Sequence, residues 1–141
     1  MLYMPNSFDA KEKVASLKAL AYMLNINKKH NKNKYEYFLM QIKAMGISES
    51  KYEEYKNNCV YSDVIKSLKS LDSIRSQRYI IREMIMLAIS GHNISDEDIR
   101  IIYKIAEDIG VSSEKVGDFF IWAAKGIEWR IEGAQLVEED L

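Results

Sequence analysis

A chain of 141 residues is the size of one ordinary domain and can bury about 70% of its unfolded surface around a single core. Its 20 basic and 21 acidic residues leave a net charge of −1, so no global field draws it onto nucleic acid or anionic lipid. One cysteine, Cys59, excludes an internal disulfide and a cysteine-type metal site, and one proline with six glycines is too little turn chemistry for closely spaced strands.

Taken in order, the chain opens with a loose arm, Met1 to Asn6, that lacks the basic and apolar regions of a leader. The longest uncharged run near the centre, Met84 to Ser95, is 12 residues and too short to span a bilayer, so a cytoplasmic protein is expected. Ser7 is the expected cap of a first helix that begins near Asp9, with Val14, Leu17, Leu20, Ala21 and Leu24 as its apolar stripe. The basic run KKHNKNK, Lys28 to Lys34, breaks that pattern. A second helix follows with Tyr35, Phe38, Leu39, Ile42 and Met45, closed by Gly46; a third starts at Ser48 and carries Tyr52 and Tyr55. A fourth runs from about Ser62 to Leu71 and buries Val64, Ile65 and Leu68.

The fifth helix, from Ile74 through Ile89, has almost no polar face, which predicts a central position. Ser95 and Asp98 then have the spacing of a capping box, with Ile94 and Ile99 placed as a hydrophobic staple. Ile99, Ile102, Tyr103, Ala106 and Ile109 form the face of the sixth helix, and Gly110 ends it. Ser112 caps a seventh, with Val111 and Val116 as another staple and Phe119, Phe120, Ala123 and Ile127 on its inner side. Glu132 to Leu141 reads as a short, acidic, frayed end.

Placing Gly46-Ile47-Ser48 on Gly110-Val111-Ser112 gives an offset of 64 residues, at which the apolar positions coincide without a gap: Leu20 with Met84, Phe38 with Ile102, Met45 with Ile109, Tyr52 with Val116. The expectation is an all-α domain, core about 9–131 with loose ends at 1–6 and 132–141. Its roughly seven helices form duplicated three-helix units packed about a pseudo-twofold axis, with the linking helix as a buttress.

A helix, a loop ending in Ser and acids, a helix closing in Ile-Gly-Val-Ser and a third helix, all in duplicate, resembles the TerB-like domain of tellurite-resistance proteins and of a membrane-anchored DnaJ-type co-chaperone. The likeness covers about Val14 to Ile127 and is strongest in AISGHNISDEDIRIIYKIAEDIGVSSEKV. It implies a bacterial stress-response module with a protein partner, a membrane-bound client among the candidates. The family's acidic loop is the suspected metal or partner site, and here Gly91 with Asp96, Glu97 and Asp98 fits it, while Ser90 stands where the family has Asp. The equivalent first loop, NINKKHNKNKY, carries no acid.

His92, Asp96, Glu97 and Asp98 are the candidate ligands for Ca²⁺ or Mg²⁺, hard cations that take oxygen donors. Acids in a first helical turn also oppose the helix dipole, and that alone accounts for them. Lys28, Lys29, Lys32 and Lys34 form the candidate partner loop; phosphate or nucleic-acid contact ranks well below a solvated loop in a near-neutral chain. Opposite charge on the two loops suits head-to-tail contact between copies or an oriented partner.

Trp122 and Trp129 lie seven apart on the last helix. Core packing is the first expectation, and Trp129, beside Arg130, is the candidate for an exposed docking position. Gly117 and Gly126 each cost that helix on the order of 1 kcal/mol relative to Ala, so one is expected to mark a close approach or a break. No phosphate loop, paired-His zinc motif or nucleophile elbow is present, and a non-enzymatic interaction module is expected, with a weak divalent-cation-binding domain as the alternative.

Overall fold

The computed structural model describes residues 7–26, 32–55, 59–91 and 94–139. Among them the fold is all-helical: α1 (Ala10–Ile26), α2 (Lys32–Ala44), α3 (Glu49–Tyr55), α4 (Tyr61–Lys69), α5 (Ile74–Ser90), α6 (Asp96–Ile109) and α7 (Ser113–Glu138), with no strand. α1 and α5 pack on each other at the centre. α2 and α3 cover α1, α2 also reaches α5, α6 and α7 cover α5, and α4 lies across α1 and α6.

The helix starts are set by side-chain caps, because the first amides of a helix have no partner within it. At Ser95 the box is complete: the Asp98 N–H donates to Ser95 Oγ at 3.0 Å and the Ser95 N–H donates to Asp98 Oδ2 at 3.3 Å. Ser112 accepts from the Lys115 N–H, and Ser73 from the Ser76 N–H. At α1 the cap is Asp9 rather than Ser7. Asp9 Oδ1 accepts from the Glu12 N–H at 2.8 Å and Glu12 Oε1 from the Asp9 N–H at 3.1 Å, a reciprocal pair that an acid at each position supplies better than a serine two residues earlier. Gly46 and Gly110 take φ of 76° and 88°, the left-handed conformation that closes α2 and α6.

The expected centre is corrected in one respect: α1 shares it with α5. Ala15, Ser16, Leu17, Ala19, Leu20, Ala21 and Met23 are all buried. Small residues let α1 approach its neighbours on several sides, and small residues carry little apolar signal in the sequence. On α6 the buried face is Ile101, Ile102, Ile105 and Ala106, rotated from the expected stripe, with Ile99 and Ile109 at its margins. Ile74 is exposed rather than inward.

Helix starts at 10, 32 and 49 recur at 74, 96 and 113, each 64 residues on. α1 and α5 have the same length, 17 residues. The third pair differs in kind: α3 stops after 7 residues, whereas α7 continues for 26. Residues 132–138, expected to be frayed, therefore belong to a helix. No helix here is long and apolar enough to cross a membrane, among the described residues.

Candidate interaction surface

Two places carry the residues singled out by the sequence. The first is the N-terminal ends of α2 and α6, where the Lys34 ammonium donates to Asp98 Oδ2 at 3.0 Å. Lys34 is 5% exposed and Asp98 0%. An exposed Lys34 in a solvated loop was the expectation, and burial against a carboxylate replaces it: a lysine this deep requires a counter-charge, since an unpaired ammonium there is too costly. One basic residue of the first loop thus meets one acid of the second inside the protein.

Asp98 is committed twice, to the Ser95 cap and to Lys34, and its Oδ1 is buried without a hydrogen-bond partner. It does not share a surface with Asp96 and Glu97, which are exposed. Among the described residues no three His, Cys, Asp or Glu side chains come together as a cation would need. Of the other candidates, Lys32 is exposed and pairs loosely with Glu36 at 3.8 Å on its own helix. Lys28, Lys29 and His92 lie outside the described residues.

The second place is a groove of about 730 Å³ between α2, the C-terminal half of α5 and α7. Tyr37 and Met40 line one wall, Met86 and Ile89 the floor, and Ile127 and Ile131 the other wall. Met40 is 57% exposed. Beside it the Tyr37 hydroxyl donates to Glu83 Oε2 at 2.6 Å, and Arg82 pairs with Glu83 Oε1 at 3.1 Å. Burial first, then the Glu83 carboxylate, holds the Tyr37 phenol far above its ordinary range. The Arg82 guanidinium stacks over Tyr79 at 4.6 Å and over Trp122 at 5.4 Å, fixing the first turns of α7 to α5.

Beyond Ala123 every described residue of α7 is exposed. Trp129 is 74% exposed, Leu136 68% and Val137 79%. Core packing, the first expectation for both tryptophans, is therefore corrected: Trp122 is half in solvent, and Trp129, the candidate for an exposed position, is largely so. A Cβ at Gly126 would meet nothing within 4 Å, and one at Gly117 only the Tyr103 hydroxyl at 3.8 Å, so neither glycine marks a close helix approach. Cys59 donates to the Lys18 carbonyl, and burial pushes its thiol pKa up, the behaviour of a packing residue.

The groove was not anticipated from the sequence. Its residues are ordinary apolar helix positions, and nothing in their local pattern sets them apart from core positions. No family model, curated protein or solved structure matches the chain.

Proposed function

We propose that this chain is a non-enzymatic helical interaction module of the TerB-like, stress-response type, built from two three-helix units about a pseudo-twofold axis, and that it acts by presenting the α7 extension and adjoining groove to a protein partner. The observation that carries the reading is the uncovered apolar row on α7, from Trp122 to Val137, beside an apolar groove. Monomeric proteins rarely leave such a stretch in water unless something binds it.

The duplication is supported by the equal spacing of helix starts, by the paired left-handed glycines, and by two side-chain contacts. Lys34 meets Asp98 and the Ser76 hydroxyl meets Glu12, and in both the partners are 64 residues apart. Equivalent residues touch one another only where a twofold axis passes between them, and two such contacts, one at each end of the α1–α5 pair, fit one axis.

Tellurite tolerance of the native host tests the setting, and capture of host proteins tests the mode of action. Trp129→Glu is expected to lower tolerance as far as deletion does and to remove captured proteins, with thermal stability unchanged. Full tolerance and an unchanged captured set would overturn the reading.

A further inference from the structure

α4 occupies a seat between α1 and α6, and its first residue shows how. The Tyr61 ring meets Tyr22 of α1 edge-on with centroids 5.9 Å apart, lies under the Lys104 ammonium of α6 at 4.5 Å, and its hydroxyl donates to Asp108. Val64 and Leu68 are fully buried beneath it. The residue 64 positions after Tyr22 is Met86, and the residue 64 positions before Lys104 is Met40. Both line the open groove between α5 and α2. The groove is the second half's counterpart of the seat that α4 fills in the first.

Chain order says which segment belongs there. Tyr61, moved on by 64, falls at Lys125, inside α7. The positions 64 residues after Lys-Asn-Asn-Cys-Val at 56–60 are Phe-Ile-Trp-Ala-Ala at 120–124, a stretch with no asparagine, glycine or proline to interrupt a helix, and α7 runs through it. The α4-like segment is carried straight out instead of folding back. Ile127 and Ile131 repeat the four-residue step of Val64 and Leu68 at a shift of one residue. On the opposite side Trp122, Trp129 and Leu136 follow at seven-residue steps, so the extension has two apolar stripes and requires neighbours on both.

Resting on the duplicated reading above, we infer that a second copy of this chain supplies the absent helix. The α7 extension of each copy lies in the α2–α5 groove of the other, with Trp129 and Leu136 entering it, in a closed twofold dimer. A twofold contact must be self-complementary, and here the groove and the projecting helix are side by side: Ile127 and Ile131 of the extension form the groove's own wall. Closure within one chain would need a break in α7, which runs unbroken from Ser113 to Glu138. From Lys125 to Glu138 the extension reaches about 21 Å, more than the nine-residue α4 needs to fill its own seat.

Sedimentation velocity across the micromolar range tests this on the full chain. Wild type is expected to be dimeric, and both Trp129→Glu with Leu136→Glu and, separately, Met40→Arg are expected to weaken association at least tenfold, with melting unchanged at dilutions where wild type is monomeric, because all three side chains are exposed in the single chain. In a Cys59→Ser background, an equal mixture of a Trp129→Cys chain and a Met40→Cys chain is expected to give an interchain disulfide on mild oxidation. A monomer at every concentration overturns the inference, as does a dimer that survives both sets of substitutions. A monomer that still loses its host partners on Trp129→Glu overturns the dimer alone and leaves the interaction-module reading standing.

Discussion

Lys34 and Asp98 stand 64 residues apart in the chain and 3.0 Å apart in the fold, each at the same place in its own helix start. The contact ties the N-terminal ends of α2 and α6 together and makes two neighbouring lysines unlike each other. Lys34→Glu sets two carboxylates against one another where water is excluded and is expected to lower stability by at least about 3–5 kcal/mol, the cost of breaking a buried pair. Lys32→Glu, two positions away on the exposed side, is expected to change it by less than about 0.5 kcal/mol. Urea denaturation midpoints of the two variants check the contrast.

Removing both charges separates the pair from its surroundings. Lys34→Met with Asp98→Asn is expected to lose less than the sum of the single substitutions, with a coupling of roughly 1–3 kcal/mol, because each single change takes this counter-charge away from the other buried group. Additive losses in a double-mutant cycle would mean that Asp98 matters only as the Ser95 cap.

Most of the helices and their ends were legible in the sequence because caps act locally: Ser95 with Asp98, Ser112 and Gly110 each announce a boundary that the backbone then takes. Lys34 was not legible, since a lysine among lysines reads as solvated and its partner is remote in sequence. α1 was under-read because alanines bury closely without a strong apolar pattern. The exposed part of α7 was misjudged for the opposite reason: acidic residues near the end suggest fraying, yet Ala, Gln, Leu and Glu in the same stretch favour helix.

Alkaline titration reads the Tyr37–Glu83 contact. The Tyr37 pKa is raised in the folded state, by burial and then by Glu83, so its contribution to stability is fully present below the unfolded value of about 10 and is lost as pH rises above it. Stability is expected to fall with a slope that includes about 1.4 kcal/mol per pH unit from this one proton. Tyr37→Phe should remove that part of the slope, and at neutral pH it should cost about 1–3 kcal/mol, because buried Glu83 loses its hydroxyl donor. Phenolate absorbance followed alongside unfolding checks whether Tyr37 ionises only as the chain opens.

Gly126 decides whether the extension is a stiff arm. Its φ is not in the left-handed region and a methyl group there would meet nothing within 4 Å, so alanine fits without strain. Replacing a helix-interior glycine by alanine gains about 0.5–1 kcal/mol, mainly by reducing the freedom of the unfolded chain. That gain appears in global stability only if the outer half of α7 unfolds together with the core. If the arm frays independently, Gly126→Ala raises its helicity and leaves the main transition where it was. In the twofold arrangement the arm is held by the other copy, and the gain is expected in full: a higher melting temperature for Gly126→Ala at concentrations that favour association, shrinking on dilution. Adding Trp129→Glu to Gly126→Ala should abolish the concentration dependence while keeping the helical signal. An equal rise in melting temperature at every concentration, with and without Trp129→Glu, would mean that α7 is coupled to its own core and draws nothing from a neighbour.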